Sequence, residues 1–266
     1  MAVNGRVDEH RRDALGSKVP QVTLAFWVIK ILATTVGETG GDALSMTLQL
    51  GYAVSSVIFL GFFCLTLAAQ VASKRYHPFL YWAVVVATTT VGTTLSDYLD
   101  RTVGLGYVTS SILLFGGVIA VLLVWRRVTG AIEFENITTR QNEVFYWVTI
   151  LVSNTLGTAL GDFVATTTGL GFERGALVFA VLLALVAAAH FFTTVSASVL
   201  FWAAYVLTRP LGATLGDTLT KPQAEGGLAL SRITSSLVIA ALMVVGIILT
   251  SRRVEQVPDS AARERT

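Results

Sequence analysis

Runs free of Asp, Glu, Lys and Arg occupy residues 43–73, 76–96, 102–125, 144–161, 175–208 and 233–251. A bilayer core takes about 20 mainly apolar residues per helix. The 175–208 run is too long for one span and must turn in its middle. Length and turn residues predict eight helices, roughly over 22–47, 50–72, 79–99, 104–125, 144–165, 171–191, 196–219 and 228–250. Residues 1–21 form a polar start without the early apolar core of a signal peptide, and 251–266 a charged tail.

Composition agrees with this pattern. Hydrophobic residues make up 53% of the 266 and charged residues 14%, against about 25% charged in an ordinary soluble domain. Disorder, a fibre and a soluble enzyme are excluded. Cys64 is the single cysteine, which rules out an internal disulfide framework or a thiolate metal cluster. A net charge of +2 gives no reason to expect nucleic acid as a partner; the expected partners are a lipid bilayer and a small cation. Basic residues orient the helices. Thirteen lie on the side of both termini, including Arg6, Lys18, Arg75, Arg126 and Arg252, against Arg101, Arg174, Lys221 and Arg232 on the other. Both termini are therefore expected in the cytoplasm.

Self-comparison reveals four segments that align without gaps. Each has Phe or Tyr, then Trp, nine residues, Gly, three residues, Gly or Ser, and Asp. The segments end at Asp42, Asp97, Asp162 and Asp217, and begin with Trp27, Trp82, Trp147 and Trp202 preceded by Phe26, Tyr81, Tyr146 and Phe201. A glycine recurs nine residues after each Asp, at Gly51, Gly106, Gly171 and Gly226. The Asp spacings are 55, 65 and 55, so one pair of repeats returns after 120 residues. This is the trace of a duplicated duplication. The expected fold is all-α: eight transmembrane helices in four parallel two-helix repeats (about 22–75, 76–127, 142–192 and 196–251) within one membrane domain, 22–250. Parallel repeats imply a pseudo-rotation axis along the membrane normal.

On these residues the chain resembles the bacterial inner-membrane proteins built from four tandem repeats of unknown function. That resemblance implies two membrane helices and one shared tryptophan per repeat, and location in the inner membrane. It brings no activity with it.

Function must come from the recurring residues. At 100° per residue, each Asp shares a helix face with the residues four and seven before it. The polar stripe is Asp42, Glu38 and Thr35 in repeat one, and Asp97, Thr93 and Thr90 in repeat two. In repeat three it is Asp162, Thr158 and Thr155, with Asn154 beside it; in repeat four Ala213 and Pro210 interrupt it. Small residues flank the stripe at Gly37 and Gly41, Gly92 and Ser96, Gly157 and Gly161, and Gly212 and Gly216, forming ridges for close helix packing. An ionised Asp at membrane depth costs about 2.5–3.5 kcal/mol. With Glu38 there are five acids, and Lys30 and Arg209, inside their helices, are the expected balancing bases, leaving three net negative charges.

Carboxylates, Thr hydroxyls and carbonyls suit hard ions such as Mg²⁺, Mn²⁺ or Na⁺. The expectation is a secondary transporter of a hard cation, with optional proton coupling, a divalent metal as substrate and no tightly bound cofactor. The alternatives are an exporter of small organic cations, a non-transport scaffold whose Asp residues cap helix ends, and, last, an enzyme. The four Trp residues are expected as interfacial anchors about 22 Å from their Asp, and the recurring glycines as packing and turn residues.

Overall fold

A computed structural model describes residues 18–73, 75–132, 137 and 139–263, with side chains described as far as Ser251. It is all-α. The eight long helices are α1 (Leu24–Asp42), α2 (Gly51–Ala72), α3 (Pro78–Asp97), α4 (Tyr107–Thr129), α5 (Arg140–Asp162), α6 (Gly171–Phe192), α7 (Ala197–Thr220) and α8 (Arg232–Arg263). Local chemistry sets several starts. Thr23, Thr139 and Ser196 are N-caps whose hydroxyls accept from Phe26, Asn142 and Val199 N–H, and Pro78 occupies the first turn of α3. The helical backbone of α8 continues past the expected end at 250.

After its Asp, each of the first three odd-numbered helices widens into a five-residue π turn: Ala43–Thr47, Tyr98–Thr102 and Phe163–Thr167. Leu48 N–H bonds to Ala43 C=O at 2.9 Å, and Val103 to Tyr98 at 2.9 Å. The recurring glycines serve the turns that follow. Gly51, Gly106, Gly171 and Gly226 all have φ between 72° and 81°, where a side chain would be strained.

The helices form two concentric layers. α1, α3, α5 and α7 are neighbours in a closed inner ring, α1 to α3 to α5 to α7 and back to α1. The outer helix of each repeat does not cover its own inner helix but the next one: α2 packs on α3, α4 on α5, α6 on α7, and α8 closes the circle on α1. Six helices are long and apolar enough to cross a membrane: α2, α3 with its π turn, α4, α5 with its π turn, α6 and α8. α1 and α7 are not among them; they carry Lys30, Glu38 and Asp42, and Arg209 and Asp217. The outer layer turns residues such as Val57, Leu65, Ile112, Leu113, Leu177, Leu185 and Leu237 outward. An apolar girdle of that extent is a membrane surface.

Candidate functional site

Every fourth residue of each inner helix faces the ring axis, so the four helices contribute one residue each to a stack of layers.

The layer farthest from the Asp residues is aromatic. Each first ring of a repeat meets the Trp of the next repeat: Phe26–Trp82 at 5.6 Å between centroids, Tyr81–Trp147 at 5.6 Å, Tyr146–Trp202 at 5.9 Å and Phe201–Trp27 at 5.7 Å. These are favourable aromatic separations. The Tyr81 and Tyr146 hydroxyls share a 2.6 Å hydrogen bond. The expectation of interfacial anchoring is corrected here. Trp82, Trp147 and Trp202 are buried within the protein, because ring closure supplies each with an aromatic partner from the preceding repeat.

Twelve residues before the Asp lie Lys30, Val85, Ile150 and Tyr205, all buried. The Lys30 ammonium sits 4.2 Å from the Tyr205 ring centroid, a cation–π distance. It has no hydrogen-bond partner and no acid in ion-pair contact among the described residues. Lys30 therefore does not balance an acid through direct contact, contrary to the sequence expectation.

The next layer is Thr34, Thr89, Asn154 and Arg209, each eight residues before its Asp. Each packs over a glycine of the preceding repeat in the cycle: Thr89 on Gly37, Asn154 on Gly92, Arg209 on Gly157 and Thr34 on Gly212. A Cβ at Gly92 would lie 2.9 Å from the Asn154 carbonyl carbon, and one at Gly216 2.9 Å from Glu38 Cβ. A Cβ at Gly41 would come 3.1 Å from Thr93, and one at Gly161 3.5 Å from Ala213 Cβ. The small residues are thus what allows the ring to close. The inward stripe falls at eight, not seven, residues before the Asp. Thr35, Thr90 and Thr155 instead bond back to carbonyls of their own helices, Ile31, Val86 and Leu151. Asn154 donates to Thr88 Oγ1 at 2.9 Å.

Arg209 is the hub, with no solvent exposure. Its Nη2 donates to Glu38 Oε2 on α1 at 2.9 Å, Thr93 Oγ1 on α3 at 2.6 Å and Thr158 Oγ1 on α5 at 2.6 Å. One guanidinium therefore touches the three other inner helices. Thr93 also donates to Glu38 Oε2 at 3.1 Å. Repeat four, whose polar stripe looked interrupted, supplies the central charge.

The four Asp residues gather at the far end of the ring as two bridged pairs. Arg101 joins Asp97 (3.0 Å) to Asp162 (3.2 Å). Lys221 joins Asp217 (3.2 Å) to Asp42 (2.7 Å), and Arg232 Nε lies 3.6 Å from Asp42. The carboxylates of Asp42, Asp97, Asp162, Asp217 and Glu38 lie within electrostatic reach of one another. Burial alone would lower the pKa of the Lys221 ammonium, but Asp217 and Asp42 outweigh it and hold the group well above its ordinary range. The expected surplus of three negative charges is corrected by these bases. Arg101, Arg209, Lys221 and Arg232 all lie against these five acids, and a further buried acid, Asp100, accepts from Ser96. Arg101 and Lys221 each stand four residues after an Asp and are 120 residues apart, the duplication step. That spacing was a usable signal in the sequence.

Three carboxylates, Glu38, Asp42 and Asp217, bring an oxygen each to within 4.8 Å of one another in a buried position at the junction of repeats four and one. Asp42 Oδ1 there has no hydrogen-bond partner among the described residues. Oxygen donors of this kind could hold a hard cation. A separate cleft of about 550 Å³ opens beside the repeat-three turn, lined by Thr166, Glu173, Arg174 and Glu225 among others; it does not include the carboxylate group.

The profile of a family described as "Repeat of Unknown Function (DUF347)" matches residues 25–76, 80–131, 145–196 and 200–254, one match for each inner–outer helix pair. No curated protein and no solved structure matches the chain. With four tandem matches covering most of its length, the chain belongs to the DUF347 family of repeats of unknown function.

Proposed function

We propose that this protein is a secondary membrane carrier for a small hard cation, Mn²⁺, Mg²⁺ or Na⁺, which binds at Glu38, Asp42 and Asp217. In this reading all eight helices cross the membrane, the pseudo-axis of the ring follows the membrane normal, and both termini are cytoplasmic. The observation that carries it is the buried three-carboxylate group at the junction where the ring closes. The Lys221 ammonium, bridging Asp42 and Asp217, acts as a tethered cation. It keeps the acids paired between substrates and swings away when an ion enters. Arg101 does not lose its proton at any working pH, and it holds the Asp97–Asp162 side closed. Transport then belongs to one junction rather than to a fourfold channel.

The pairing of Glu38 and the four Asp residues with bases also supports a scaffold reading, in which the cluster only locks the ring. An organic-cation carrier is less well supported, because the recurring aromatics pack against one another. Reconstituted protein should be assayed for Mn²⁺, Mg²⁺ and Na⁺ flux. The carrier reading expects Asp42→Asn and Asp217→Asn to lower flux at least tenfold while the protein stays folded. Normal flux in Asp42→Asn, Asp97→Asn, Asp162→Asn and Asp217→Asn alike discards it. Lys221→Met separates the readings further. It should tighten cation binding in a carrier, and in a scaffold only loosen the fold.

A further inference from the structure

We infer that Lys30 is the group that exchanges a proton for the transported cation, making the carrier an antiporter; this rests on the carrier reading above. Lys30 is fully buried in the middle of the ring. It lies between the aromatic layer and the Arg209 hub, and its amine has no hydrogen-bond partner among the described residues. An intramembrane base held in that way is a functional residue by default, and three features of its surroundings give it a specific task.

The first is the neighbourhood. The charged group whose field reaches Lys30 is another cation, Arg209 on α7. Arg209 is itself committed to Glu38, which lies two turns farther along α1. The remaining titratable groups beside it are phenols: Tyr205 on α7 under the amine, with Tyr81 on α3 and Tyr146 on α5 in contact with that aromatic layer. α8 brings Met243 and Ile247 to this core, and neither is titratable. Among the described residues no acid is in ion-pair contact with Lys30, so none holds a proton on its amine.

The second is the charge count. Loss of the Lys30 proton removes one positive charge from the buried ring, and a monovalent cation at Glu38, Asp42 and Asp217 restores it. The interior carries the same charge with the proton or with the cation, and one charge more or one less with both or with neither. Burying net charge in a low-dielectric interior is costly, so the two occupancies exclude each other without touching. The exchange balances as one proton out for one positive charge in. A divalent ion leaves one positive charge over, so this exchange fits a monovalent cation such as Na⁺.

The third is position. Arg209, in the layer next to Lys30, bonds Glu38 directly, with Thr93 and Thr158 beside it. A cation that draws Glu38 away from Arg209 leaves the guanidinium facing Lys30 with less compensation, and that favours loss of the Lys30 proton.

The test uses the full-length protein in liposomes carrying a trapped pH-sensitive dye. Flux of Na⁺ and Mn²⁺ is followed with and without an imposed pH gradient. Wild type should accumulate the cation against its gradient when driven by the pH difference, with dye-reported proton movement in the opposite sense. Lys30→Gln should still exchange cation for cation across the membrane, while proton movement and pH-driven accumulation fall at least tenfold. Lys30→Arg, which keeps the charge but holds its proton, should lose both in the same way. Should Lys30→Gln not fold, Lys30→Arg and ¹³C-labelled lysine resonances of the wild type, titrated with and without Na⁺, decide the matter. A Lys30 resonance whose titration is unmoved by Na⁺ overturns the inference. pH-driven accumulation that survives in Lys30→Gln or Lys30→Arg overturns it while leaving the carrier reading intact, provided Asp42→Asn and Asp217→Asn are inactive. Absence of cation flux in the wild type overturns both.

Discussion

Replacing Arg209 with Met removes the central charge and little else. Met keeps a Cβ and Cγ, the atoms that lie over Gly157, so the close approach of α5 and α7 is retained. What is lost is the 2.9 Å ion pair to Glu38 and the hydrogen bonds to Thr93 and Thr158. Glu38 is then a buried carboxylate that keeps, among the described residues, the Thr93 hydroxyl as its partner. Breaking a buried pair from one side costs about 3–5 kcal/mol, a change of roughly a hundredfold to several thousandfold in the ratio of folded to unfolded protein. Most of that cost comes from the stranded charge, not from the missing attraction. The double variant Glu38→Gln with Arg209→Met removes the stranded charge and should regain at least about 2 kcal/mol of it. Detergent-purified protein unfolded by increasing denaturant and followed by tryptophan fluorescence measures both. The aromatic layer places Trp82, Trp147 and Trp202 inside the ring that must open. If the double variant is no more stable than Arg209→Met, or if Arg209→Met lies within about 1 kcal/mol of wild type, the ring is not held by a charge-paired centre and the reasoning fails.

Gly37→Leu should destabilise by about 1–3 kcal/mol through overpacking against Thr89. Gly61→Leu, on an outer face with open space around it, should change stability by about 0.5 kcal/mol or less; equal losses in the two would refute the close ring. Closure of the circle by α8 is checked by cysteine pairing. A Cβ at Gly246 would lie 3.2 Å from Ile29 Cγ1, so Ile29→Cys with Gly246→Cys, in a Cys64→Ser background, should form an intramolecular disulfide under mild oxidant. Failure to cross-link would separate the first and last repeats. The raised Lys221 pKa fixes a pH signature. A lysine held above its unfolded value of about 10.4 contributes stability that is fully present below that pH and lost as pH rises through the folded value. The stability difference between wild type and Lys221→Met should therefore be constant from about pH 6 to 9 and shrink only in strong base; a difference that fades near neutrality would contradict the bridge.

The sequence by itself determined the membrane class, the number of long helices, the four repeats and the register of the four Asp residues. These are local or periodic properties, set by runs of apolar residues and by side-chain types recurring at constant offsets. It also marked Gly37, Gly92, Gly157 and Gly212 as small for a reason, since spacing along one helix reveals a ridge. Only the tertiary structure decided what each ridge meets. The outer helix of one repeat covers the inner helix of the next, and that offset is invisible within any single repeat. The same offset pairs Phe26 with Trp82 and makes an internal ring of residues that, read one helix at a time, looked like surface anchors. The packing between repeats decided that the residue eight before the Asp, not seven, meets the neighbouring inner helix, which moved Thr34, Thr89 and Arg209 into the centre and left Thr35, Thr90 and Thr155 to their own helices. Arg101 and Lys221 meet Asp97 and Asp217 at the local spacing of four residues, but their second partners depended on bringing Asp162 and Asp42 across repeat boundaries. Ring closure set those partners, because a buried charge takes whatever opposite charge the packing places within reach. The same packing left Lys30 with none in contact among the described residues.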